Sequence, residues 1–129
     1  MNKIIIEHLQ QIPQLLAIYI FGSIASGENI ESSDIDIAFL AQDKLDNIAR
    51  WDLSQKLSIV LQCDVDLVDL RRCSEVFRFQ IISNGKFIYT KDEKKIQAFS
   101  DQCYWLYLDL QELKLQQYQD IQKTGLVYG

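Results

Sequence analysis

Histidine is almost missing from this chain, His8 being the only one among 129 residues. The three cysteines, Cys63, Cys73 and Cys103, are odd in number and include no Cys-x-x-Cys pair. Together these absences exclude the usual zinc ligand sets, and a Ser-His-Asp or Cys-His catalytic set would have to recruit that one imidazole. His8 falls in a predicted helix with no motif around it, so it is expected on the helix surface. Three small apolar thiols without a disulfide framework fit a reducing compartment. No apolar run reaches the roughly 18 residues that a membrane helix needs. The N-terminus lacks the basic start and small-residue cleavage site of a secretory leader, so the expected location is cytoplasmic. Excess positive charge is missing too. A formal net charge of -5 argues against general nucleic-acid binding, which needs a basic face, and no direct nucleic-acid partner is expected. With no repeat, linker or low-complexity segment, the chain is expected to form one domain over residues 1–129.

What the chain does have is enough apolar material for a core, at 48% hydrophobic residues. Asn2 to Gln11 reads as a short amphipathic helix, with Ile5, Leu9 and Ile12 at i, i+4 and i+7 and Pro13 ending the pattern. Leu15 to Phe21 reads as a buried strand, Ser23 to Ser26 as a helical turn and Glu28 to Ser33 as a polar loop. Asp34 to Leu40 is a second strand. Leu45, Ala49, Leu53, Leu57 and Val60 then recur at helical spacing over Lys44 to Leu61, a helix of about five turns that Asp43 would cap. Asp64 to Leu70 is a third strand, Ser74 to Ser83 a helix stopped by Asn84-Gly85, and Lys86 to Thr90 a short strand. Asp92 to Lys123 is a long helix with Phe99, Leu106, Leu110, Leu113 and Tyr118 near helical spacing. Strands alternating with helices predict an α/β domain.

Chemistry concentrates early. The apolar run ending at Phe21 stops at Gly22-Ser23, and a turn of that kind opening a helix offers bare backbone N–H groups to an anion. Ten residues later Asp34-Ile35-Asp36 re-enters an apolar strand, and a spacing of two puts both carboxylates on one face. If the third strand lies beside them, Asp66 completes a cluster. Clustered carboxylates repel unless a cation joins them, and Mg²⁺ favours this combination of protein carboxylates and substrate phosphates. Asp66 could then accept the proton of an attacking hydroxyl. Asp64 and Asp69 read as solvated or turn residues. Arg71, Arg72 and Arg78 read as solvated surface residues before triphosphate ligands. Tyr104, Trp105, Tyr107 and Tyr118 make the last helix aromatic, about half of them expected in the core and the rest on a partner surface.

Gly22-Ser23, ten residues, then Asp34-x-Asp36, followed by Val65-Asp66-Leu67-Val68, resembles the signature of the DNA polymerase β-like nucleotidyltransferase superfamily. The size and the early motif resemble its minimal nucleotidyltransferase (MNT) branch. Asn84-Gly85-Lys86-Phe87-Ile88-Tyr89 and Gly125-Leu126-Val127-Tyr128-Gly129 are similar to MNT antitoxins paired with HEPN toxins. The resemblance implies a small mixed β-sheet flanked by helices, the nucleotidyltransferase fold, with a long C-terminal helix. It implies that Gly22 and Ser23 contact nucleotide phosphates and that Asp34, Asp36 and Asp66 bind Mg²⁺ and form the catalytic site. The implied reaction moves AMP from ATP to a tyrosine of a HEPN ribonuclease toxin and silences it. Two other readings stay open: a nucleotidyltransferase acting on a small molecule such as an aminoglycoside, and an antitoxin that only binds, its carboxylates vestigial.

Overall fold

The computed structural model describes residues 1–22 and 34–124, without the side chains of Tyr118 and residues 120–124. The turn expected over Ser23 to Ser26, the polar loop over Glu28 to Ser33 and the ending 125–129 lie outside the described residues. In chain order come α1 (Asn2–Leu9), β1 (Leu15–Phe21), β2 (Ile35–Ala41), α2 (Asn47–Leu61), β3 (Val65–Asp69), α3 (Glu75–Asn84), β4 (Lys86–Thr90) and α4 (Glu93–Thr124). The sheet order is β3-β2-β1-β4. β1 runs antiparallel to both β2 and β4, while β2 and β3 are parallel, joined through α2. The sheet is therefore mixed, flanked by helices and followed by a long C-terminal helix, as expected. No helix among the described residues is long and apolar enough to cross a membrane.

β1 and β2 are apolar on both sides because both sides are covered. One cluster joins Ile18, Ile20, Ile35, Ile37 and Phe39 to Ile5 and Leu9 of α1 and Leu53 and Leu57 of α2. The other joins Tyr19, Ala38 and Leu40 to Ile81 of α3 and Ile96, Phe99 and Cys103 of α4. Each fully buried aliphatic or aromatic side chain contributes about 1.5–3 kcal/mol, so the two layers supply most of the drive to fold.

The helix ends follow local chemistry with one exception. α1 closes through a tighter turn in which Ile12 N–H donates to the Leu9 carbonyl at 3.0 Å, just ahead of Pro13. α3 is capped by Ser74, whose Oγ accepts from Phe77 N at 3.2 Å. It stops at Gly85, where an added Cβ would lie 2.6 Å from the Ile81 carbonyl and 3.4 Å from that of Ile20. The exception is α2. Its cap is Asp46, accepting from Ala49 N at 3.2 Å, and not Asp43. The Leu45 N–H donates to Asp69 at 2.9 Å, which holds the chain ahead of Asp46 out of the helix. α2 consequently has 15 residues, about four turns. Val60, expected on its core face, is 46% exposed, whereas Ser54 is buried. Ser54 Oγ donates to the Val65 carbonyl at 2.7 Å and Ser58 Oγ accepts from Val65 N at 3.1 Å, stitching α2 to β3.

α4 departs from expectation in its aromatics. Ile96, Phe99 and Cys103 are buried, but Tyr104 and Trp105 are 49% and 64% exposed, and Leu113 is exposed as well. Tyr107 lies half-buried, its ring stacked on Phe79 at 3.9 Å. None of these three aromatics belongs to the core, and the Tyr118 side chain lies outside the described residues. The helix outruns the sheet it packs on, so past Cys103 there is too little sheet left to cover it.

Candidate active site

β2 lies between β1 and β3, and its pairing sets the site. Phe21 of β1 is the register partner of Asp36, and Asp36 is the register partner of Asp66. The Ile35 N–H donates to the Asp64 carbonyl at 2.9 Å, extending the parallel ladder to the strand starts. Register partners point to the same face, so Asp36 and Asp66 stand side by side, with Asp34 two residues ahead of Asp36 on the chain. They share that face with Ala38 and Tyr19, the side covered farther along by α3 and α4. Asp34 and Asp66 are exposed and Asp36 is half-buried.

Burial raises the Asp36 carboxyl above its ordinary pKa, and the negative charges of Asp66 and Asp34 raise it further. The donor set is all carboxylate oxygen, and the mutual repulsion is of the kind a hard divalent cation relieves, so Mg²⁺ fits these residues. Among the described residues no three carboxylate, imidazole or thiol groups converge to metal-coordinating distance; what unites the aspartates is register and electrostatic coupling.

Gly22 supplies a contact that spacing alone does not reveal. Its φ is 79°, and an added Cβ would overlap Asp36 Oδ2. The backbone at the end of β1 thus folds directly against the carboxylate, in a conformation that glycine adopts without penalty. Gly22→Ala is expected to displace the Asp36 carboxylate and to cost about 1–2 kcal/mol of backbone strain. A lowered melting temperature with loss of nucleotide transfer checks this; full activity would mean that Asp36 has room to move. Ser23, its expected companion in phosphate contact, lies outside the described residues.

Two groups of nearby residues do other work than expected. Asp69, read as a solvated or turn residue, is a turn residue but is only 3% exposed. Strand alternation directs it away from Asp66, where it accepts from Leu45 N and Arg71 N, both at 2.9 Å. The three arginines are neither purely solvated nor turned toward the carboxylates. Arg71 Nε donates to the Ala41 carbonyl at 2.6 Å, Arg72 Nε to Leu45 at 2.9 Å, and Arg78 Nε to Leu70 at 2.6 Å. Arg71 and Arg78 also lie over the Phe99 ring, 5.2 and 5.8 Å from its centre. They tie the end of β3 to its surroundings.

A groove of about 330 Å³ opens beside Gly22, lined by Phe21, Gly22, Phe77, Gln80, Ile81 and Asn84. The Phe21 and Phe77 rings meet edge to face at 5.8 Å. Sequence reasoning passed over this feature. Its signal was available, since Phe77, Gln80, Ile81 and Asn84 fall at i, i+3, i+4 and i+7 of one helix.

The family profile described as polymerase beta, nucleotidyltransferase matches residues 3–94. The protein adenylyltransferase MntA of Shewanella oneidensis is 53% identical over 88 residues, covering 68% of this chain. The match spans 63% of that relative, less than two thirds of its length. Among solved structures, a toxin–antitoxin with AMP-PNP superposes with a TM-score of 0.83 at 42% identity, covering 94% of this chain and 98% of the other. The MNT antitoxin in complex with a tri-AMPylated Shewanella oneidensis HEPN toxin superposes with a TM-score of 0.77 at 40% identity, covering 94% and 95%. With its strand-borne aspartates, the glycine folded against them and a profile match over most of its length, the chain belongs to the polymerase beta nucleotidyltransferase family.

Proposed function

We propose that this chain is an antitoxin of the protein adenylyltransferase type, which moves AMP from ATP to a tyrosine hydroxyl of a HEPN toxin and so neutralises it. The observation that carries this reading is the Asp36–Asp66 register pair with Gly22 closed against it. It sits in a chain alike over nearly its whole length to the antitoxin of a tri-AMPylated toxin complex. A single domain over residues 1–129, acting in the cytoplasm, carries the activity.

In this mechanism the tyrosine oxygen attacks the α-phosphorus, the bond from that phosphorus to the bridging oxygen breaks, and pyrophosphate leaves. Asp34, Asp36 and Asp66 would hold Mg²⁺, which would supply neutralisation of the phosphate charge. Asp66, on the exposed side of the pair, accepts the tyrosine proton. Asp36, half-buried between Gly22 and Asp66, has the least freedom to move and fixes the position of the group. Gly22 and Ser23 would contact the nucleotide phosphates.

The toxin docks on α4. Tyr104, Leu108 and Leu115 are exposed, and Trp105 stands beside them. Helical geometry places this stripe on the side away from Ile96, Phe99 and Cys103. A contiguous exposed apolar stripe rich in Tyr and Trp marks a partner surface. Leu108→Glu with Leu115→Glu is expected to weaken toxin binding at least tenfold while the melting temperature stays within a degree or two. Titration calorimetry against the toxin checks it, and unchanged affinity would place the toxin elsewhere.

The reading as a whole is tested by incubating the chain with ATP labelled at the α-phosphate, Mg²⁺ and its HEPN partner. Label on a tyrosine of the partner, with loss of its ribonuclease activity, is expected. Tight binding without transfer would sink the enzymatic reading and leave an antitoxin that only binds.

A further inference from the structure

We propose that the groove beside Gly22 seats the nucleobase, with Phe77 as its apolar platform and Gln80 and Asn84 as the residues that select adenine. The inference rests on the adenylyltransferase reading for the orientation of the nucleotide, and on the groove itself for the rest.

Position comes first. Gly22 belongs both to the groove lining and to the wall of the Asp36 carboxylate. A nucleotide with its α-phosphate at the aspartates therefore has the groove within reach of its own sugar and base. The larger cavity, about 430 Å³ and lined in part by Gln14, Lys91 and Lys95, opens at Leu15 and Leu16. That is the opposite end of β1, roughly 20 Å away along a strand of this length.

Chemistry then narrows the occupant. Among the described residues, the lining holds two aromatic rings, one isoleucine, two primary amides and a glycine, and no charged side chain. A triphosphate tail would meet no cation among these residues, whereas a flat heteroaromatic ring finds apolar faces and a few polar groups, the usual make-up of a small-ligand site. Gln80 and Asn84 lie one helical turn apart, both exposed. A primary amide pairs with adenine by accepting from its exocyclic amine and donating to the adjacent ring nitrogen. Guanine is matched instead by Arg or Lys, and the cytosine amine by Asp or Glu. Among its described lining residues the groove has neither kind of charge. Its far wall is held in place by Gly85, where α3 comes so near β1 that a methyl group would press on the Ile81 and Ile20 carbonyls.

The experiment measures equilibrium binding of non-hydrolysable ATP and GTP analogues, with Mg²⁺, to the antitoxin in complex with its partner. Wild type is expected to favour the ATP analogue. Gln80→Ala combined with Asn84→Ala should cut that preference tenfold or more, since one good bidentate pairing discriminates by about 1–3 kcal/mol. Phe77→Ala should weaken both nucleotides alike by about tenfold, and Phe77→Trp should restore them, because stacking tolerates any base. An unchanged ATP-to-GTP ratio in the double variant, with the fold intact by circular dichroism, would overturn the inference. So would a result in which Phe77→Ala spares both nucleotides and weakens the partner, because the groove would then hold the acceptor side chain. Binding is read whether or not transfer occurs. A chain that selects ATP here yet moves no AMP would refute the proposed function and leave the groove assignment standing.

Discussion

Asp36→Asn is expected to abolish AMP transfer, lowering the rate by more than about a hundredfold, while leaving the chain folded and bound to its toxin. The magnitude follows from position. Loss of a mere outer-sphere partner of a metal costs about 10- to 100-fold, and the proposed function makes Asp36, central between Gly22 and Asp66, a direct ligand. Asparagine keeps the volume and one oxygen but drops the charge, so packing survives and cation affinity does not. Without Mg²⁺ the variant should melt slightly above wild type, because a half-buried negative charge has been removed from beside Asp34 and Asp66. Intact-mass measurement of the toxin, which gains one AMP mass for each AMP transferred, reads the first effect, and calorimetry reads the second. Transfer at the wild-type rate would show that Asp36 holds no metal.

Asp69→Ala is expected to destabilise strongly, by about 3 kcal/mol. Asp69 is buried and accepts from two backbone N–H groups, Leu45 ahead of α2 and Arg71 just past β3. Hydrogen bonds to a charged acceptor contribute about 1.5–3 kcal/mol each, and truncation strands both donors. The Arg72 guanidinium, 3.8 Å away, loses its counter-charge as well, a smaller effect because Arg72 is exposed. For a domain of this size the melting temperature should fall by roughly 10 °C. Asp69→Asn should fall between the two, since one oxygen acceptor remains. Urea unfolding measures all three, and a loss under about 1 kcal/mol would mean the neighbouring chain finds other acceptors.

Much of this was legible in the sequence, for reasons that residues make plain. β1 and β4 came out with the residues expected, because uninterrupted apolar runs bounded by turn residues leave little choice. The α3 boundary was set by Ser74 and Asn84-Gly85, which act within a few residues of themselves. α2 was misjudged at its start because the deciding hydrogen bond joins Leu45 to Asp69, 24 residues away. The same blindness to distance hid the arginines, whose carbonyl partners include Ala41, 30 residues before Arg71. In the candidate site the spacing of Gly22, Asp34 and Asp36 was readable, and Asp66 could be anticipated if its strand lay alongside. The one-to-one pairing of Asp36 with Asp66 and the fold of Gly22 onto Asp36 are tertiary facts. The aromatic residues of α4 were misassigned because a helical stripe has the same period whether it meets a sheet or a second protein.

The mixed sheet has a further consequence for how the molecule opens. Asp36 rides on an interior strand, hydrogen-bonded on both edges and buried on both faces, and such strands exchange their amide hydrogens only on global unfolding. The stripe on α4 lies past Cys103, the last buried residue described on that helix, where few contacts resist fraying. The proposed centres of chemistry and of capture thus lie in units of different opening free energy. If the toxin docks on this stripe, as proposed, its binding is expected to weaken first under mild denaturant, while the carboxylates keep their arrangement until the whole domain gives way.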